Sequence, residues 1–565
     1  MRELKKGDVL AVRAIGGLHV VTLAWDFVAG QEAKREGLLG FAVERSEISD
    51  GAVAERYFLR GIKRFKGKDE GLPPGTPVPT SEHPIQAFQW GDYTVKPSGT
   101  YQYRVVPVYG QPKLVQLDDA SATTVQITTE AEEGPEDNDP SHDVYFNRGV
   151  AGSQAYDRKF GDAKPDEANP DSEQMKWLSR GLFEALTGFI KRAAGDDAAD
   201  FKLRAMLYEF RYLPVGKAFA EAARAGADVA IRYEAQEYKT SNEAMIAKAR
   251  IKGLCTPQKV RGGIRHNKFI VLIHKDQPVA VWTGSTNISA GGIFGHSNVG
   301  HVIWNNGVAQ RYLDYWTRLG APDVTRSALK AANLAAEPTP DPETPPPEDR
   351  ILTLFSPRDD EGKDQTLAWY ADLMGSGKRI VCMTFAFNLD PVFEKVLERE
   401  DGTLRYAMFD KAPSAQFEND IRWVKNTLIA AGATLKKGDL ENFLGEHLTG
   451  FNKIQYIHDK FMLVDPLGDD PIVVTGSANF SKGSQRENDE NMLVIRGSRR
   501  VADIYFGEFM RIFDHLYARY VVRKIVKAGT GDPDAGYLKE DWQDWVPKYF
   551  QPGPKESRRQ FFMGA

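Results

Sequence analysis

Only two cysteines occur in 565 residues, Cys255 and Cys382, too few and too far apart for a disulfide framework or a thiolate metal site. No run of 18 apolar residues is present, which excludes an ordinary membrane-spanning helix and leaves peripheral contact as the way to meet a membrane. The start, Met1-Arg2-Glu3-Leu4-Lys5-Lys6, lacks the apolar core of a signal peptide, so the sequence predicts a cytoplasmic protein, with signal-less export left open. Nor is there a basic excess. The 73 Lys and Arg against 78 Asp and Glu give a formal net charge of −5, so any attraction for nucleic acid would have to come from a local groove. What the chain does have is length, enough for three or four domains with cores of their own.

It also has a duplication. His266-Asn267-Lys268 is followed by Gly284-Ser285-Thr286-Asn287, and His458-Asp459-Lys460 by Gly476-Ser477-Ala478-Asn479; in both, His to Lys is 2 residues, His to Gly 18 and His to Asn 21. Each HxK opens an apolar run (Phe269 to Ile273; Phe461 to Val464), and each GSxxN closes another (Val279 to Trp282; Ile472 to Val474). Short apolar runs bounded by turn residues read as buried strands. Residues i and i+2 of a strand face the same side, so His266 points with Lys268 and His458 with Lys460. An imidazole beside an ammonium, a carboxamide and a serine at a glycine turn suits a tetrahedral anion, phosphate above all. Two such halves facing each other supply one histidine to attack phosphorus and one to protonate the leaving oxygen.

These residues resemble the phospholipase D superfamily, whose signature is HxKxxxxD followed by GSxxN and which acts through a pair of such motifs. The second motif matches throughout, at His458, Lys460, Asp465, Gly476, Ser477 and Asn479; in the first, Ile273 stands where the aspartate is expected. The resemblance, over roughly residues 144 to 526, implies a phosphohistidine intermediate, no metal and no cofactor. It also implies a set of site residues: His266, Lys268, Asn287, His458, Lys460 and Asn479, supported by Ser285, Ser477, Asp465, Glu490 and Asn298. Asp465 is read as a turn or ion-pair residue, because Ile273 cannot carry protons. His274, His296 and His301 lie near the motifs without a compact ligand spacing, so no metal site is expected.

The repeat extends outwards. Leu203 to Phe210 and Arg379 to Phe387 precede the motifs as strand candidates, followed by helical stretches (Val215 to Ala225; Pro391 to Glu398) and further strands (Val229 to Tyr233; Leu404 to Phe409). Alternating strands and helices predict two similar α/β units packed as a pseudo-dimer around one site. Counting 32 residues on from each histidine reaches Asn298 in the first half and Glu490 in the second. On the expectation that each supports the histidine of its own half, the carboxylate favours a protonated His458 and the amide leaves His266 neutral. That makes His266 the nucleophile and His458 the general acid. Tyr208-Glu209-Phe210, at the end of a strand, reads equally as a substrate contact or as buried structure.

Residues 1–125 read differently, with short alternating strands at Val20 to Phe27, Gly40 to Glu44, Tyr57 to Arg60, Gln86 to Trp90, Tyr101 to Pro107 and Leu114 to Leu117. They predict an antiparallel β-sandwich. Trp25 on an early strand and Tyr101-Gln102-Tyr103 on a late one resemble a fibronectin type III domain, which implies a core tryptophan and a tyrosine corner. The chain is therefore read as multidomain: the sandwich, an acidic linker (126–143), a first α/β unit (144–336), a proline-rich linker (337–350), a second α/β unit (351–526) and an aromatic tail (527–565). That tail is expected to pack over the domain surface rather than to touch a membrane. The sequence sets no oligomeric state and is compatible with a monomer. The partner is a phosphodiester, with phospholipid head groups first, DNA or RNA as the alternative, and a catalytically weak binding scaffold as the third reading.

Overall fold

The computed structural model describes residues 1–564 other than 69–70, 150–153, 162, 259–261, 323, 342–350, 359–364, 388, 422–423, 425, 433–456 and 529–533. The N-terminal stretch forms two antiparallel sheets. One runs Arg2–Lys6, Leu10–Gly16, Val21–Phe27, Gln89–Asp92; the other runs Leu114–Leu117, Thr100–Gln111, Gly40–Ser49, Ala52–Phe58, with Thr123–Thr128 also paired to Thr100–Gln111. Period-two alternation drives the pairing: Tyr101, Tyr103 and Val105 are buried, whereas Gln102 and Arg104 between them remain partly exposed. Trp25 is fully buried 5.3 Å from Phe41, in a core to which both sheets contribute. The Tyr101 hydroxyl accepts the Lys96 N–H at 2.9 Å, and Tyr103 donates to Asp92 at 2.9 Å. Thr123–Thr128 runs past the boundary expected at residue 125, and the charged strand Arg2–Lys6 carries no apolar signal from which to predict it.

Two seven-stranded sheets follow, with the same strand order. The first runs Ser141–Phe146, Val299–Trp304, Gln277–Gly284, Lys268–His274, Phe201–Leu207, Asp228–Tyr233, Cys255–Pro257; the second runs Ile351–Ser356, Glu490–Arg496, Ile472–Gly476, Phe461–Val464, Ile380–Phe385, Leu404–Phe409, Thr427–Ala431. In each, the first four pairings are antiparallel and the last two parallel. Their strands are near-continuous apolar runs because both faces are covered. The helices Leu213–Ala225 and Pro391–Leu397 each take a proline in the first turn, and the former ends at Gly226, whose φ of 120° suits glycine. Ser141–Phe146 begins before residue 144, the expected start of this unit.

One apolar cluster joins the two sheets. Phe269, Tyr312 and Tyr315 of the first half meet Phe355, Phe461 and Tyr505 of the second, with Tyr315 stacked on Phe355 at 4.3 Å. The apolar faces of the two sheets are thus buried against each other, which brings the HxK strands of both halves to a common seam. The C-terminal segment packs on the protein: Trp545 enters the N-terminal core and donates to the Leu38 carbonyl at 3.2 Å, while Phe562 lies 5.3 Å from Phe506. Most of the expected proline-rich linker, 342–350, lies outside the described residues. Among the described residues no helix is long and apolar enough to cross a membrane.

Candidate active site

The glycine of each GSxxN ends a strand against the neighbouring backbone. A Cβ on Gly284 would lie 2.4 Å from the Val299 carbonyl oxygen, and one on Gly476 would lie 2.2 Å from that of Asn491, so neither position admits a side chain. The serine that follows accepts a backbone N–H, Val299 onto Ser285 at 3.1 Å and Asn491 onto Ser477 at 3.0 Å. Each hydroxyl proton is thereby directed onward, from Ser285 to Asn298 Oδ1 at 2.8 Å and from Ser477 to Glu490 Oε2 at 2.7 Å.

The histidines are held across the seam. His266 Nδ1 lies 2.8 Å from Glu490 Oε2, and His458 Nδ1 lies 2.8 Å from Asn298 Oδ1. This corrects the expectation that Glu490 supports His458 and Asn298 supports His266, and it reverses the charge argument behind that expectation, because the carboxylate now favours the imidazolium of His266. The two residues occupy equivalent places in the repeat, but each points out of its own sheet towards the other half. The backbone repeats the exchange, with His266 N–H donating to the Asp489 carbonyl at 3.1 Å and His458 N–H to Ser297 Oγ at 3.2 Å. Neither Asp489 nor Ser297 was among the expected residues, although each directly precedes a histidine partner and the aligned repeat could have pointed to both.

The geometry sets the tautomers. Asn298 Nδ2 donates to the Gly292 carbonyl at 2.6 Å, so its Oδ1 faces His458 and the proton between them belongs to His458 Nδ1. Glu490 is acceptor-only as a carboxylate, so His266 also carries its proton on Nδ1. Both Nε2 atoms are left for chemistry. Lys268 donates to the His266 carbonyl and Lys460 to that of His458, the latter at 2.6 Å. Asn287 Nδ2 donates to Glu209 Oε1 at 2.8 Å, and Glu209 in turn holds Arg211 at 2.7 Å. Among the described residues the Oδ1 atoms of Asn287 and Asn479 are buried without a hydrogen-bond partner, the state of acceptors that a bound ligand would satisfy. Tyr208 sits edge-on to His266 with ring centroids 4.7 Å apart.

Both histidines and both lysines are almost wholly buried, and this dominates their ionisation. Burial lowers the His266 pKa to about 4 despite the opposing charge of Glu490. Burial, then Lys460 and His296, takes His458 well below the ordinary imidazole range. Burial works against the Glu490 carboxylate, but His266, Lys268 and the Ser477 hydroxyl together hold its pKa below the ordinary value. Burial brings Lys460 down to about 8. The free site thus holds a neutral His266 backed by a carboxylate and a neutral His458 backed by an amide. An anion entering between the lysines would favour protonation of both imidazoles.

Residues 420–516 match the family described as cardiolipin synthase, PLD-like domain, a span that contains His458, Lys460, Asp465, the GSxxN sequence and Glu490. The chain carries a phospholipase D-like domain. No curated protein matches it. Similar solved structures include phosphatidylserine synthase of Haemophilus influenzae, 13% identical over 62% of this chain and 91% of that one, with a TM-score of 0.42. Nuc, a phospholipase D family member of Salmonella typhimurium, is 20% identical over 29% of this chain and 95% of its own, with a TM-score of 0.21. Polyphosphate kinase of Porphyromonas gingivalis is 11% identical over 68% of this chain, with a TM-score of 0.35; the chain spans about half, 54%, of that protein's length.

In this phospholipase D-like domain the motif aspartate is structural. Asp465, at a φ of 44°, accepts the backbone N–H groups of Lys378, Arg379 and Ile380 at 2.8, 2.7 and 3.0 Å. Ile273 in the first half is buried in the core that joins the two sheets and needs no such partner. Asp465→Ala is expected to cost about 1 kcal/mol, because water can replace the acceptor at the exposed Lys378 and Arg379 N–H groups and only the Ile380 N–H is partly buried, with little direct effect on chemistry; urea denaturation beside turnover of the folded fraction checks this. Of the other histidines, His301 bonds His142 at 2.9 Å and Tyr505 at 3.0 Å, and His274 stacks on Phe201 at 4.3 Å. Among the described residues no group of three or more His, Cys, Asp or Glu side chains is placed to hold a metal.

Proposed function

We propose that the protein is a metal-independent phosphodiesterase working through a phosphohistidine on His266, and that phospholipids are its substrates, hydrolysed at the head group or transferred to another alcohol. The observation that carries this reading is the crossed support of the histidines, Glu490 on His266 and Asn298 on His458, each at 2.8 Å. The two units act as a pseudo-dimer in which neither half-site is complete alone. The Nε2 lone pair of neutral His266 forms a bond to phosphorus while the bond from phosphorus to the leaving alcohol oxygen breaks. That oxygen takes the Nε2 proton of a protonated His458. Positive charge developing on the His266 ring is compensated by Glu490, and Lys268 and Lys460 face the phosphoryl oxygens. His458, now neutral, takes a proton from water, whose oxygen displaces His266 from phosphorus and restores both side chains. An alcohol in place of water gives head-group exchange.

Two observations favour a lipid. The matched family is described by cardiolipin synthase, and Phe387, 54% exposed, stands just beyond the strand Ile380–Phe385, an apolar group where a diacylglycerol would approach. A nuclease is the second reading, supported by Arg211 at 5.4 Å from the Tyr238 ring, a cation and aromatic pair beside Glu209. The test is choline release from phosphatidylcholine vesicles in EDTA. Release by the wild type and none by His266→Ala supports the proposal. No release by an enzyme that still cleaves an activated phosphodiester transfers the assignment to nucleic acid or small diesters, and loss of release in EDTA overturns the metal-free mechanism.

A further inference from the structure

A cavity of about 1190 Å³, lined by neither His266 nor His458, lies where Gln89–Asp92, the Met510–Arg519 stretch of the helix Arg499–Ala528 and the C-terminal segment around Tyr537 meet Arg148 and Trp177. Its size is slightly above that of pockets that hold drug-sized ligands, ample for a mononucleotide. The wall is cationic, including Arg60, Lys63, Arg148, Arg511, Arg519 and Lys539, with Arg511 held by Glu508 and Lys63 and Arg519 by backbone carbonyls; its two acids are engaged as well. Asp92 takes the Tyr103 hydroxyl at 2.9 Å, and Asp514 takes Arg558 at 3.0 Å.

Arg148 is the informative residue. Its Nε donates to the Trp177 carbonyl at 2.8 Å, and its guanidinium lies 4.2 Å over the Trp177 ring. The adjacent carboxylate, Glu508, is shared by Arg180 at 2.7 Å and Arg511 at 2.8 Å, and among the described residues no carboxylate pairs with Arg148. Burial, then the like charges of Arg180 and Arg511, lowers its pKa to about 9. A half-buried guanidinium set among like charges, stacked in place and, among the described residues, donating to the protein through its Nε, is organised to receive an anion on its remaining fork. The partly exposed rings of Tyr57 and Trp90 line the same cavity and add flat apolar faces to its wall.

We propose that this cavity binds a nucleotide-class anion, with its phosphate on Arg148 and its base against Trp90. The site is separate from the reacting histidines but shares a wall with them. Arg148 follows Asn147, whose Oδ1 accepts the backbone N–H of Asn298, the partner of His458, at 3.0 Å. Isothermal titration of the full chain with AMP tests the inference independently of the catalytic reading. Binding is expected in wild type and in His266→Ala, weakened about tenfold or more in Arg148→Ala by loss of a charge-assisted contact and by a similar factor in Trp90→Ala. Trp90 lies on a different element from Arg148, so the two variants test the site separately, with thermal melts confirming that each is folded. The proposal is overturned if AMP does not bind, if His266→Ala abolishes binding while Arg148→Ala keeps it, or if inorganic phosphate or dodecyl phosphate binds as tightly as AMP.

Discussion

His458→Ala is expected to release one equivalent of p-nitrophenol rapidly from an activated phosphodiester and then nearly stop, with the phosphoryl group retained on His266. A good leaving group needs no proton, so the first step survives without His458. Hydrolysis of the phosphohistidine then lacks its base and slows by about 10²–10⁴-fold, the usual contribution of a positioned acid or base. Burst kinetics and mass analysis of the His266 peptide after an alkaline quench read both events. Accumulation in His266→Ala instead, with none in His458→Ala, would reverse the two roles. The same assignment fixes a pH dependence. The first step on an alkyl ester needs His458 protonated, and its pKa is depressed, so kcat/KM should climb as pH falls from neutral. A p-nitrophenyl ester should flatten the limb that belongs to His458.

Glu490→Gln is expected to lower kcat by about 10²–10⁴-fold while leaving KM nearly unchanged, a range between the loss of an orienting partner and the loss of the carboxylate behind a reacting imidazole. In the proposed mechanism Glu490 acts through His266 and not on the substrate itself. Its carboxylate fixes the Nδ1–H tautomer of His266, leaves Nε2 free and balances the charge of the phosphorylated ring, whereas glutamine removes that charge and can offer an amide N–H to Nδ1 instead. The fully buried carboxylate also bonds Ser477 at 2.7 Å, so near-UV circular dichroism and melting should accompany the kinetics. Asn298→Asp gives the converse test: a carboxylate on His458 should raise its pKa and carry acid catalysis towards higher pH. An unchanged kcat in Glu490→Gln would remove the carboxylate from the mechanism.

The Asp465 and Ile273 pair differs in local chemistry alone. Asp465, at a left-handed turn, collects three backbone donors, and Ile273 is an ordinary strand residue of the core, so the motif could lose its aspartate in one half without losing the site. Charged Arg2–Lys6 went unrecognised as a strand because its pairing with Leu10–Gly16 decides its conformation. The cavity beside Arg148 was equally invisible, since its walls come from stretches hundreds of residues apart.

The chemical inventory and its duplication are written along the chain: two histidines, two lysines and two GSxxN turns at matched spacing. Strand alternation and the sterics of Gly284 and Gly476 act over a few residues, and such rules can be read along a chain. Which partner serves which histidine was decided only by the packing of the two sheets. Glu490 and Asn298 sit at equivalent positions, and nothing in their own halves reveals that each side chain leaves its sheet for the other. Burying one apolar seam brings the halves face to face, placing the carboxylate behind His266 and the amide behind His458 and making two equivalent motifs chemically unequal.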